Sequence, residues 1–200
     1  MRILLSALVA SAFFGVCAQA QQIQLAVGDV DVKGLDFDTQ LTPNFQASGP
    51  DSKNVPSPRN WLEVEVEFKV KGRDDIVVPE LLFRYYIGFT DKNGQGRTLT
   101  GDVKHINIVA GEEYFSAVYV SPSTLGDITG DFRKFQSSNV KAVGVEIYYN
   151  GVIIGGKSTL SGNSTKFWEN TGTSPGVLPK AATPFALLWI DRYADSEPTR

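Results

Sequence analysis

Acidic residues at alternate positions are the first feature of the chain with chemical potential. Asp29/Asp31 and Asp36/Asp38 are i,i+2 pairs, and Glu63, Glu65 and Glu67 continue the same spacing. Residues two apart on a strand project from one face, and paired carboxylates are what glycoside hydrolysis requires. The same pattern suits the solvated face of an outer strand, where like charges discourage unwanted sheet pairing, and this is how the series reads. Asp29-Val30-Asp31-Val32-Lys33-Gly34 opens like a calcium loop, but Lys33 occupies a ligand position and Gln40 replaces the closing glutamate. Asp127 with Asp131 is a second oxygen-rich candidate. His105 is the sole histidine, so any Ser-His-Asp arrangement must use it. It lies in the strand-like run Val103–Asn107 and reads as a satisfied strand residue. No GxSxG elbow, HExxH or P-loop pattern occurs. No catalytic residue, cofactor or metal site is therefore assigned. Aromatic rings remain: Trp61, Trp168, Trp189 and Tyr193, with Tyr148, are candidates for ligand stacking or for packing. Trp168 and Trp189 are expected to pin the C-terminal segment onto the rest of the protein.

The chemistry is bounded further by the compartment. Arg2 precedes an apolar run from Ile3 to Val16, and Ala18-Gln19-Ala20 supplies a small-x-small cleavage site before Gln21, the pattern of a secretory signal peptide over residues 1–20. The run is about 14 residues, short of the roughly 20 that span a bilayer as a helix. Cys17 does not read as a lipidation site, because Val16 stands where a small residue is wanted. Cleavage takes away twenty residues, Arg2 and Cys17 among them. It leaves 180 residues without cysteine and moves the net charge from −3 to −4. Disulfides, thiolate zinc sites and cysteine nucleophiles are then excluded together. The acidic balance argues against nucleic acid as a partner. The expected location is exported: periplasm, outer membrane or cell surface, or secreted.

Alternation dominates the elements that must position these groups. From Trp61 to Lys71, Leu62, Val64, Val66, Phe68 and Val70 alternate with charged residues, which predicts a half-buried strand. Leu81–Thr90 reads as a central strand, followed by the Gly-rich turn Asp91–Gly96. Val103–Val109 and Glu113–Val120 are further strands, and Gln22–Val32 and Leu35–Leu41 read as two strands joined at Lys33-Gly34. The clearest hairpin spans Val140–Leu160. Asn150-Gly151 suits a type I′ turn that sets Tyr149 against Val152 and Ile147 against Ile154, with Val152 and Ile154 on the face of Val143, Val145, Ile147 and Tyr149. Ser121 caps a short helical turn before Val140. Thr42–Asn60, with four prolines, reads as a long surface loop. Seven or more short strands predict an all-β, immunoglobulin-like antiparallel sandwich over residues 21–160. Residues 161–200 form a C-terminal extension packed on it, in which Thr183–Tyr193 adds an edge strand or packs across the sandwich.

That extension carries a resemblance. Lys180-x-x-Thr183-Pro184-Phe185-Ala186-x-Leu188, then Asp191-Arg192-Tyr193, with Phe167-Trp168-Glu169 upstream, resembles secreted immunoglobulin-like proteins of Verrucomicrobia encoded with type IV pilus genes, of the Akkermansia type. The resemblance implies an immunoglobulin-like fold, association with the pilus system and self-association; it implies no catalytic residues. The chain itself lacks the prepilin site and long apolar N-terminal helix of a filament subunit. The expected function is that of a non-enzymatic exported interaction or structural protein, whose partners are proteins of the pilus or envelope apparatus and which self-associates by strand addition or tail exchange. The alternative is a carbohydrate-binding module that engages host or cell-wall glycans through exposed aromatics.

Overall fold

Period-two alternation becomes burial on one side of a strand. Leu62, Val64, Val66, Phe68 and Val70 are fully buried, while the residues between them are partly covered. Five such side chains contribute roughly 10 kcal/mol gross, before the entropy of ordering the strand is subtracted. In the computed structural model, which describes residues 23–45 and 55–197, this segment is β2 (Asn60–Val70). The other strands are β1 (Val30–Leu41), β3 (Val77–Thr90), β4 (Gly96–Val109), β5 (Glu113–Val120), β6 (Val140–Tyr149), β7 (Val152–Ser158), β8 (Thr173–Pro175) and β9 (Val177–Pro179). They form two facing sheets, a four-stranded one in the order β1-β2-β5-β9 and a five-stranded one in the order β7-β6-β3-β4-β8. All pairings are antiparallel except β4–β8. The protein is an all-β, immunoglobulin-like sandwich, β1-β2-β5 against β7-β6-β3-β4, with one short strand added to each sheet by the C-terminal segment. Phe68, Phe83, Tyr85, Ile87 and Val118 lie at the centre of the core.

The helix α1 (Pro122–Thr129) carries the chain from one sheet to the other. Ser121 Oγ accepts from Thr124 N at 3.2 Å, Pro122 opens the first turn, and Gly130 closes the helix at φ 81°, where a side chain would be strained. The turn at Asn150-Gly151 has φ of 49° and 78°, as a type I′ turn requires.

Three local expectations are corrected. The N-terminal pair of strands is a single strand, β1, because Val32 pairs with Phe68 and Gly34 with Glu67, leaving Lys33 as a bulge. A bulge breaks the alternation without ending the ladder, so Lys33-Gly34 looks like a turn only in sequence. Residues 23–29 precede the strand, and Gly28 N donates to Ile154 O at 2.8 Å. In the hairpin, Tyr149 does pair with Val152, but a second bulge sets Ile147 against Gly155 rather than Ile154. Ile154 is buried and Val152 is exposed, not on the core face. The signal peptide lies outside the described residues, as do residues 46–54 of the proline-rich loop, whose ends meet where Thr42 N donates to Arg59 O at 3.0 Å.

After Leu160 the chain laces one side of the sandwich. β4 and β5 follow one another in sequence but belong to different sheets, so their outer edges carry unpaired backbone groups that need partners. β8 pairs with Thr98–Thr100 of β4, and β9 then pairs with Val118–Val120 of β5. Farther on, Ala194 N donates to Phe115 O at 2.9 Å, Ile106 N to Asp195 O at 3.0 Å and Glu197 N to Lys104 O at 3.0 Å. Leu178 and Pro179 thus lie in a strand. Thr183–Tyr193 packs across the sandwich and adds no strand. Gly101 makes the lacing feasible: a Cβ there would lie 2.3 Å from Val177 O.

Candidate interaction surface on the C-terminal strap

The C-terminal segment, here called the strap, also grips the outer face of each sheet. On the five-stranded sheet, Trp168 is 8% exposed and stacks on Tyr86 with ring centroids 4.3 Å apart and planes at 2°. Its ring fits over Gly144, where a Cβ would lie 2.2 Å away, and Phe167 fits over Gly88. Glu146 lies buried beside this stack. Its Oε2 accepts from Tyr86 at 3.0 Å and Tyr148 at 2.8 Å, and Lys166 Nζ meets Oε1 at 3.0 Å. Burial alone would push this carboxyl's pKa up, but the bonds from Tyr148, Lys166 and Tyr86 outweigh it and hold the pKa below the usual value.

On the four-stranded sheet, Phe185 stacks on Tyr119 at 4.4 Å and 5°, and Trp61 meets the same ring edge-on at 5.8 Å. Lys180 Nζ donates to Ala186 O at 3.0 Å and lies 5.0 Å over the Tyr193 ring; partial burial holds its pKa below that of a free lysine. Thr183 Oγ1 donates to Lys180 O at 2.7 Å and accepts from Phe185 N at 3.2 Å. Arg192 donates to Glu65 at 2.6 Å and covers the Phe115 ring at 3.7 Å, while Tyr193 donates to Glu65 at 2.9 Å. The bonds of Lys180 and Thr183 brace the strap internally, and those of Arg192 and Tyr193 tie it to β2. Between Phe185 and Arg192, Leu188 packs back on the Ala117, Tyr119 and Phe185 cluster, while Leu187, Trp189 and Ile190 are 78%, 53% and 61% exposed. Trp189 has φ 50°, a left-handed conformation that costs a bulky residue on the order of 1–3 kcal/mol. Three bulky apolar groups are therefore presented to solvent at the tip of a segment fixed on both sides, an arrangement suited to burying surface against another molecule.

The aromatic residues singled out from the sequence divide accordingly. Trp168 is buried; Trp61, whose Nε1 donates to Thr42 Oγ1 at 3.1 Å, and Tyr193 are partly covered and hydrogen-bonded. Trp189 does not pin the strap; Phe185 does. Leu187 and Ile190 were not legible as surface residues, because an apolar run reads as core. Glycines within strand patterns, Gly88, Gly101 and Gly144, were the available signal that something approaches those strands closely.

Asp29 precedes β1 and accepts from Ala26 N at 2.7 Å, so it does not share a strand face with Asp31; the other carboxylates fall on the outer face of β1 and β2, with Asp36 opposite Glu65 and Asp38 opposite Glu63. Asp31 to Asp38 lie in an extended strand, not in a loop able to wrap calcium. Asp131 accepts from Arg133 N at 2.8 Å and Lys134 N at 3.0 Å. Among the described residues no group of three or more His, Cys, Asp or Glu side chains is placed to hold a metal. His105, 2% exposed, lies between the sheets: Nδ1 is 3.1 Å from Asp195 O, Nε2 is 2.6 Å from Ser116 Oγ, and Tyr85 donates to Ser116 at 2.6 Å. Burial pushes its pKa down to about 4. The Ser116–His105 pair is buried between the sheets, where each group satisfies the other.

Comparison with solved structures gives a crystal structure from Akkermansia muciniphila at 29% identity and a TM-score of 0.73, covering 88% of this chain and 95% of the other. No curated protein matches the chain. A family model matches residues 20–200, a span that includes the sandwich and the strap together. That model spans well over half of the chain, so the chain belongs to its family, and its fold is similar to that of the Akkermansia muciniphila protein.

Proposed function

We propose that the protein is an exported, non-enzymatic interaction protein serving the cell-envelope apparatus, with a type IV pilus or a related assembly as its partner, and that it works by burying surface at the strap tip. The carrying observation is the exposed Leu187–Trp189–Ile190 group on a segment anchored at Phe185 and Arg192. The resemblance of the strap sequence to pilus-linked proteins supports the choice of partner. Self-association by strand addition or strap exchange belongs to the same proposal. A second reading, a glycan-binding module, draws on Trp189, whose exposed ring suits stacking on a sugar.

Site-specific photocrosslinking in the native envelope tests this. A crosslinking amino acid at Leu187 is expected to capture pilus or envelope proteins, and one at the exposed Val77, at a different place in the fold, is expected not to. Equal yields from both positions would refute the tip as the interaction surface. Quenching of tryptophan emission by mucin-type oligosaccharides, lost in Trp189→Ser, would favour the glycan module instead.

A further inference from the structure

We infer that the segment received at the strap tip is cationic and apolar: a stretch of partner protein with lysine or arginine side chains beside bulky aliphatic or aromatic ones. This rests on the reading of the tip as an interaction surface and assigns the chemistry of what it meets. Ile190, Ala186 and Tyr193 line a cavity of about 210 Å3 on the strap, large enough for an aliphatic side chain. Beside the strap, on the outer face of β1 and β2, Asp36, Phe37, Asp38, Glu63 and Glu65 line a trough of about 270 Å3. The two are joined through Glu65, a wall of the trough that Arg192 and Tyr193 of the strap both hold.

The trough is charged against its own stability. Like charges directly opposite one another on neighbouring strands are destabilising, and β1 and β2 set Asp36 against Glu65 and Asp38 against Glu63. Arg192 compensates Glu65, and Gln40 and Tyr119 donate to Glu63. Among the described residues no cation pairs with Asp36 or Asp38. Asp191 adds another exposed carboxylate between Ile190 and Arg192. Five acids, Asp36, Asp38, Glu63, Glu65 and Asp191, on the trough and the strap stand against Lys180 and Arg192, so the balance of charge beside the apolar tip is negative. An anionic bilayer would bury the tip but be repelled by the trough. A neutral sugar would use Trp189 and leave Leu187, Ile190 and the charge unused. A cationic amphipathic segment uses all of them, with complementary charge fixing its register.

Binding is measured by fluorescence anisotropy with a labelled Lys/Leu amphipathic peptide as probe, a matched Glu/Leu peptide, and phosphatidylglycerol vesicles. The Lys/Leu peptide is expected to bind, and Asp36→Asn with Asp38→Asn to weaken it roughly three- to tenfold at low salt, as the loss of two exposed charge contacts implies. Asp74→Asn with Asp127→Asn, the same change in net charge at exposed sites elsewhere, is expected to leave affinity unchanged. Equal weakening by the two pairs, equal binding of the Glu/Leu peptide, or binding of the vesicles in place of the Lys/Leu peptide would each overturn the inference. The triple variant Leu187→Ser, Trp189→Ser, Ile190→Ser separates the two levels. If it abolishes binding while Asp36→Asn with Asp38→Asn does not, the charge assignment fails and the tip stands; if neither matters, both fail. All these positions are exposed, and melting temperatures no lower than that of the native protein confirm folded variants.

Discussion

His105 Nδ1 needs a proton to donate to the Asp195 carbonyl, and Nε2 needs a lone pair to accept from Ser116, whose oxygen in turn accepts from Tyr85. The buried ring is therefore neutral, and every partner is satisfied, as it is for each buried side-chain polar atom among the described residues. Protonation would place a charge in the core, and burial therefore depresses the pKa to about 4 from an ordinary 6.5, against the smaller upward pull of the Asp195 carbonyl. The consequence for stability has a definite sign. Above pH 6.5 neither state binds the proton and the contribution is complete. Between 6.5 and about 4 only the unfolded chain binds it, so stability falls as pH falls, by about 1.4 kcal/mol per unit. Thermal melts across that window are expected to show a decline for the native protein that is shallower in His105→Gln; parallel curves would disprove the link. The sequence suggested a satisfied strand histidine but not its partners, because Ser116 and Asp195 meet it only through the sandwich and the strap.

At the scale of elements, legibility follows period. β2 announces itself by five alternating apolar residues, and the β6–β7 turn by Asn150-Gly151. β8 and β9 are three residues each, too short for any period, and their places depend on the edges of β4 and β5. What the sequence does hold is the complementary imprint, small residues where the strap lands. Gly144 and Trp168 form such a pair, and their coupling is measurable. Gly144→Ala is expected to cost about 1–3 kcal/mol by overpacking, and Trp168→Ala about 3–5 kcal/mol by lost packing. The double variant is expected to cost less than the sum, since the new methyl group gains room once the indole is gone. Additive losses in denaturant titrations would mean that the ring does not sit over Gly144. The strap tip was less legible still. Trp168, Phe185 and Trp189 are equivalent in composition, and only the bonds of Lys180, Thr183 and Arg192 decide that Phe185 turns inward and Trp189 outward.

For the molecule as a whole, the strap closes the sandwich. The opposite seam is tied by Gly28 N to Ile154 O at 2.8 Å and by Lys157 Nζ to Val32 O at 3.2 Å, and β1 and β7 form the two outer edges there. On the β4–β5 side the His105–Ser116 bond links the sheets from within, and the strap completes their edges through β8, β9 and residues 194–197. It also covers Tyr86 and Tyr119, which would otherwise be large rings on open sheet faces. Trp168, Val177 and Phe185 are nearly or fully buried, and at about 1.5–3 kcal/mol each they account for roughly 5–9 kcal/mol, comparable with the roughly 5–15 kcal/mol that holds a typical domain folded. A chain ending at Ser161 is therefore expected to melt more than about 10 °C lower, or not to fold, at a few degrees per kcal/mol. It would lose the His105–Asp195 bond along with the apolar cover. An unchanged melting temperature would refute the strap as part of the fold, whereas Leu187→Ser, Trp189→Ser and Ile190→Ser, which touch only its tip, are expected to leave melting unaltered and remove binding alone.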